Sequence, residues 1–280
     1  MALTVNTNLA AMRASNALNK TQGSLSHTLA KISGGLRVTK AADDAAGSAV
    51  ASNLGTTARS GKQAIRNAND GISIIQTAEG ATKEVLNILD RMRELAVQSA
   101  SDTLDDDERV YLDDEVEQLS AEIERIAQAT EFNDLALADG AQSQLIVQVG
   151  VTSGSESQLI ITLGDLTVSN LSVDATDGVD DIDLSAATSA RTAIDTIDSA
   201  IDSVNSIRAG YGAVQNRIDS AIANMVTYVE SLSAAESQIM DTDYAHETSE
   251  MTKYQVMQQA GTAALAQART INQSVISLLS

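Results

Sequence analysis

The stretch MTKYQVMQQAGTAALAQARTINQSVISLLS, residues 251–280, decides how the rest of the chain is read. Apolar or small side chains return there on steps of three and four, at Tyr254, Met257, Gly261, Ala264, Ala268, Ile271, Val275 and Leu278. That is the spacing of a coiled-coil seam. The stripe has almost nothing close in sequence to pack against, so it needs a partner from elsewhere. The first forty residues offer one: Ala11, Leu18, Leu25, Leu29, Ile32 and Leu36 follow the same spacing, interrupted by polar Ser15 and Gln22. Two such ends on one chain imply either a coil that closes on itself or a surface shared among copies.

Composition points the same way. Only 2% of the 280 residues are aromatic and none is Trp, whereas a thick globular core draws on aromatic bulk. Ala, Leu, Ile and Val mixed with Ser, Thr and Asn suit thin bundles of long helices, where small residues let backbones approach. Proline is absent, although an average usage of about 5% would give roughly fourteen in this length. Long uninterrupted helices are therefore permitted almost everywhere.

A formal net charge of −20 repels phosphate backbones and anionic lipid surfaces, so neither nucleic acid nor membrane is expected as a partner. With no cysteine, disulfides and thiolate chemistry are excluded. The first twenty residues, MALTVNTNLAAMRASNALNK, lack the basic start and apolar run of a cleaved secretory signal. No segment approaches the ~20 apolar residues of a membrane span. Export, if it occurs, must use a different route.

Along the chain, Gly34-Gly35 and the small-residue stretch 40–55 read as a turn followed by a weak helix. From 58 to 100, Ile65, Ala68, Ile72, Ile75, Leu86 and Leu89 mark one long helix, with Glu79 and Thr82 as interruptions. Asp105, Asp106 and Asp107 then precede a second helix, where carboxylates favour the helix dipole. Leu112, Val116, Leu119, Ile123 and Ile126 carry its apolar side, and an antiparallel return along the previous helix is the simple topology. Between 139 and 174 the period changes. LIVQVG, SQLIITLG and LTVSNLSV are short β-branched runs, and 151–155 reads as a hairpin turn. A single register then links Ala190, Ile197, Val204, Tyr211, Ile218, Met225, Leu232 and Ile239, a helix of about fifty residues and about 75 Å. The fold class is mainly α: a long antiparallel helical bundle or coiled coil with one small β-hairpin region at about 140–175. Residues 1–40 and 245–280 are expected to carry the terminal coiled coil and 41–244 the helical rod with the hairpin.

Catalytic raw material is sparse. His27 and His246 are the two histidines, neither near a second nitrogen or sulfur ligand, and no phosphate-binding glycine loop occurs. The acids around 105–117 read as a solvated face rather than a metal site, because the ligand order of a calcium loop is missing. Arg91 and Glu94 form an ordinary i,i+3 pair. No enzyme activity, metal or cofactor is expected.

Several segments together resemble one family. SGGLRVTKAADDAAG (33–47), RNANDGISIIQTAEGA (66–81), RMRELAVQSA (91–100), RAGYGAVQNR (208–217), ESQIMDTDYAHETSEMTKYQVMQQAG (236–261) and SVISLL (274–279) are similar to the terminal regions of bacterial flagellins, in the same order. The resemblance covers nearly everything outside about 140–185 and implies a short flagellin of core layers alone. Its expected function is the structural subunit of the flagellar filament, self-polymerising for motility. The rivals are a hook–filament junction protein and a non-polymerising signalling or receptor-binding coiled-coil module.

The resemblance further implies type III export without a cleaved signal, an extracellular location in the flagellum, and termini that order on assembly. Implied partners are other copies of the chain, the flagellar cap, hook-junction proteins and an export chaperone. The polymerisation seam is then carried by Leu18, Leu25, Leu29, Ile32, Tyr254, Met257, Ala264, Ala268, Ile271, Val275 and Leu278. The family's contact with Toll-like receptor 5 maps to Arg91, Leu95 and Glu115, with Asp90 in place of the usual Gln. Asp134 likewise stands where a Gly is common.

Overall fold

The backbone is described for residues 7–171 and 182–277, and side-chain burial to residue 270, by a computed structural model. Its helices are α1 (Leu9–Gly34), α2 (Ala45–Ser99), α3 (Asp106–Ala129), α4 (Ala187–Met240) and α5 (Tyr244–Ser277). Four short strands follow α3: β1 (Glu131–Phe132), β2 (Leu135–Ala136), β3 (Gln144–Gln148) and β4 (Gln158–Thr162). The chain divides into a terminal unit, 1–58 with 230–280, and a middle unit, 59–229. The divisions fall inside α2 and α4.

The expected turn is present at 40–43, where the Asp43 amide donates to the Lys40 carbonyl at 2.9 Å, but the helix after it is no separate weak element: it is the start of α2, one continuous helix of 55 residues. Asp44 explains the early start. Its Oδ1 accepts from the Gly47 amide at 2.8 Å, satisfying one of the donors a helix leaves open at its N-terminus. Small residues further along α2 serve close packing. A Cβ on Gly61 would lie 2.5 Å from Val229 Cγ2 of α4, so only hydrogen fits there.

Helix α3 begins as the acids suggest. Asp105 accepts from the Asp107 amide at 2.9 Å, and Glu108 reaches back to the Asp105 amide to close a capping box. Behind the first turn, Arg109 is buried, its Nη2 donating to the carbonyls of Ser101 at 2.8 Å and Leu104 at 3.2 Å. This ties the α2–α3 connection to the helix it introduces.

The middle unit has two apolar clusters. One joins Val85, Leu89, Met92 and Leu95 of α2 to Val116 and Ile123 of α3 and Ile197 and Val204 of α4. Thr82, which interrupts the pattern in sequence, is fully buried and donates its hydroxyl to the Glu79 carbonyl at 2.8 Å. A threonine whose hydroxyl bonds its own helix is tolerated in a core. The second cluster packs Ile75 against Val147 and Ile161 of the hairpin and Tyr211 and Ile218 of α4. Tyr211 is buried yet satisfied, its hydroxyl accepting from the Gly164 amide at 3.0 Å. Burial pushes its pKa up and that hydrogen bond works against the shift.

Strands β3 and β4 pair antiparallel, with Ile146 opposite Ile160 and Val147 opposite Leu159. Val147, Leu159 and Ile161 turn inward, while Ile146 and Ile160 face out. The third β-branched run, LTVSNLSV, is a different element. Asp165 Oδ1 takes the Thr167 amide at 2.9 Å and hydroxyl at 2.7 Å, and the backbone winds into one 3-10 turn at Val168–Asn170. The last two residues of that run lie outside the described residues.

A pairing the sequence reading misses is β1 with β2, where Phe132 stands opposite Leu135. The two residues between them, Asn133 and Asp134, have φ of 52° and 63°, as a two-residue hairpin turn of matching twist requires. Glycine adopts this conformation without steric strain. Asp134→Gly is expected to stabilise the middle unit by about 1 kcal/mol, read as a higher denaturant midpoint at unchanged slope. An unchanged or lower midpoint would show that the aspartate is not strained.

Candidate assembly surfaces

In the terminal unit α1 and α5 run antiparallel. Asn8 donates its side-chain amide to the Ala268 carbonyl at 2.9 Å, and Lys31 Nζ lies 3.3 Å from Glu247 Oε1. Between these ends a Cβ on Gly261 would meet Leu18 Cδ1 at 3.2 Å, so the helices approach closely there. The connections beside the pair are joined by backbone. The Arg37 amide donates to the Met240 carbonyl at 2.6 Å, and the Thr242 amide to Gly35 at 3.0 Å. Gly35 takes φ of 68° to end α1. In the following loop Asp43 accepts from the amides of Thr39 and Lys40 and from the Thr39 hydroxyl, with His27 Nε2 at 3.7 Å. Burial acts to raise the Asp43 pKa, but the hydrogen bonds outweigh it and the net shift is downward.

The inner side of this pair follows one of two alternatives that a three-or-four spacing leaves open. On α1, Leu18, Leu25 and Ile32 are half-buried, alternating with buried Thr21 and Thr28. Leu29 stands outside, 45% exposed. On α5, Glu247 is buried and Tyr254, Gly261 and Ala268 are half-buried, alternating with Gln258 and Leu265. Met257 is 46% exposed and Ala264 is exposed too. Within the chain, then, Leu29, Met257 and Ala264 are not seam residues, because the helices turn their neighbours Thr28, Gln258 and Leu265 inward. Leu278 lies outside the described residues, as do the side chains of Ile271 and Val275.

Arg91 and Leu95, on α2, and Glu115, on α3, belong to the middle unit. Arg91 Nη2 lies 2.9 Å from Glu115 Oε1, and its Nη1 lies 3.1 Å from Glu94. Hydrogen bonds to Glu115 and then Glu94 hold the guanidinium pKa above its ordinary value. Both Arg91 and Glu115 remain about half exposed. Leu95 differs: it is 1% exposed, part of the α2–α3–α4 core, and does not share the surface on which Arg91 and Glu115 lie. A leucine at i+4 from an exposed arginine shares its side of an isolated helix, and only the arrival of α3 and α4 covers it.

Among the described residues no three His, Asp or Glu side chains converge on a point where a metal ion could sit. None of the described helices is long and apolar enough to cross a membrane.

Paired terminal helices with apolar side chains left on their outer sides define a helical structural protein built for association with its own kind. Residues 5–143 match the bacterial flagellin N-terminal helical region and residues 194–279 the bacterial flagellin C-terminal helical region. A flagellin of Halalkalibacterium halodurans is 42% identical over 98% of this chain and 99% of its own length. A flagellin of Bacillus subtilis is 37% identical over 98% and 99%. The chain belongs to the bacterial flagellins and is a structural subunit of the flagellar filament, an extracellular polymer of copies of itself.

The fold alone is shared more widely. A Vibrio parahaemolyticus protein described as flagellar hook-associated aligns with a TM-score of 0.61 at 15% identity, covering 71% of this chain and 100% of that one. Full-length similarity to flagellins favours the filament over a junction protein or a non-polymerising module.

Proposed function

We propose that α1 and α5 are the elements through which copies polymerise, with Leu18, Leu25, Ile32, Tyr254 and Ala268 closing the pair. Leu29, Met257 and Ala264 meet neighbouring copies, and Ile271, Val275 and Leu278 extend the same surface. The observation that carries this reading is the exposure of Leu29 and Met257 on helices whose inner side is already occupied. Apolar side chains left outside a completed pair gain by association. The division of labour is residues 1–40 with 245–280 as the polymerising layer and 41–244 as the body.

Delivery follows from the same membership. The chain leaves the cell by type III export, carried by an export chaperone, and adds between the cap and the hook-junction proteins. Arg91 and Glu115 offer the polar contact for Toll-like receptor 5, while Leu95 supports them from beneath. The test of the polymerisation reading is seeded growth. Full-length chain added to short filament fragments is expected to extend them, as followed by turbidity and negative-stain images. A chain lacking residues 1–40 and 245–280 is expected not to. Extension by the shortened chain would overturn the terminal assignment.

A further inference from the structure

All the sulfur in this chain is thioether. It has seven methionines and no cysteine, so an oxidant that meets the protein finds no thiol to react with first. The methionines are covered to very different degrees. Met92 is 0% exposed, in the core of the middle unit. Met225, Met240 and Met251 are half-buried, and the Met225 sulfur reaches over Gly61, 3.2 Å from where a Cβ there would stand. Met12 and Met257 are 56% and 46% exposed. Met1 lies outside the described residues.

The two exposed thioethers share a setting. Met12 is on α1 and Met257 on α5, and each stands on the side of its helix turned away from the other. Their sequence neighbours Ala11 and Gln258 are half-buried. Leu9, one turn before Met12, is 56% exposed, and Val256, beside Met257, is 59% exposed. Each thioether is therefore part of a small apolar patch that the α1–α5 pair leaves open, of the kind that gains by association.

Oxidation changes that patch without touching the pair. The sulfur lone pair attacks the outer oxygen of a hydroperoxide, the O–O bond breaks, and the departing oxygen takes a proton to leave as water or an alcohol. The thioether loses two electrons and the peroxide gains them. The product is a sulfoxide, which turns a flexible apolar side chain into a polar one. In a single copy its oxygen stays hydrated. Against a neighbouring copy it must give up water, which is unfavourable unless a donor replaces it.

We propose that Met12 and Met257 are modification sites through which a hydroperoxide reversibly blocks addition of the chain to a filament. The proposal rests on the reading of the outer sides of α1 and α5 as surfaces between copies, and adds a redox control to them. Met92, sealed in the core, takes no part.

A competition within one sample tests it. Full-length chain is treated with hydrogen peroxide to partial conversion and offered to seeds, and the sulfoxide at each methionine is measured by peptide mass mapping in the filaments and in the chain left in solution. Sulfoxide at Met12 and Met257 is expected to be depleted in the filaments at least about fivefold, while sulfoxide at Met225, Met240 and Met251 divides evenly. Chain oxidised fully at both sites is expected to extend seeds at least about tenfold more slowly with unchanged circular dichroism. Treatment with the two methionine sulfoxide reductases, one for each epimer, is expected to restore its rate. Even division at Met12 and Met257, or depletion confined to the half-buried methionines, would overturn the proposal. Even division while untreated chain grows leaves the polymerisation reading intact, whereas that reading fails through growth of the chain lacking its ends.

Discussion

Leu29→Asp and Met257→Asp each stop seeded filament growth while leaving the α1–α5 pair of the isolated chain within about 0.5 kcal/mol of the parent. Both side chains are exposed, so a carboxylate at either position stays hydrated until a neighbouring copy arrives. Only then must it be buried without a partner, which costs several kcal/mol per site. A filament repeats that penalty in every subunit. Leu18→Asp supplies the contrast, since Leu18 lies against Gly261 at the close approach of the pair. It is expected to part the helices before any polymer forms. Circular dichroism of the unassembled chain, with turbidity and negative-stain images of the seeded one, reads both effects. Normal filaments from Leu29→Asp would remove that residue from the surface between copies.

Leu95 and Arg91 separate structural from recognition roles. Leu95 is 1% exposed in the cluster of Leu89, Met92, Val116 and Ile197. Leu95→Ala is therefore expected to lose about 2–5 kcal/mol of stability through lost burial and a residual cavity. Arg91→Ala removes a pair of half-exposed ion contacts, worth less than about 1 kcal/mol once solvent screening is counted. In a receptor-activation assay the order reverses. Arg91→Ala is expected to reduce the response of a well-folded chain, whereas Leu95→Ala does so only in step with its unfolding. Denaturant titration alongside the assay decides. A fully stable Leu95→Ala chain that fails to signal would place the leucine back on the contact surface.

Much of this fold is legible as periodicity. The acids before α3, the heptad register of α4 and the paired seams at the two ends all mark elements that form. What misleads are positions where a local rule has two solutions. Steps of three and four do not say whether Leu29 or Thr28 turns inward, because both lie near the same helical side. The small-residue stretch 40–55 reads as a turn and a weak separate helix, whereas after the turn at 40–43 Asp44 caps the start of a helix that runs on unbroken to Ser99. The run 166–173 alternates like a strand, yet Asp165 captures Thr167 and bends it. The β1–β2 pair carries no Asn-Gly signal, because Asp134 occupies the second turn position.

The class of element, the apolar seams of the two ends and the family are legible without the fold, because hydrophobic period, capping acids and the absence of proline act locally and are written residue by residue. Tertiary structure alone decided which side of each helix is closed and which remains open. Burial depends on every element packed nearby, and rotating a helix by one residue exchanges Thr28 for Leu29 or Gln258 for Met257. It also decided that Leu95 is core while Arg91 is surface. For a protein whose work is to associate, that assignment of inside and outside is the functional information.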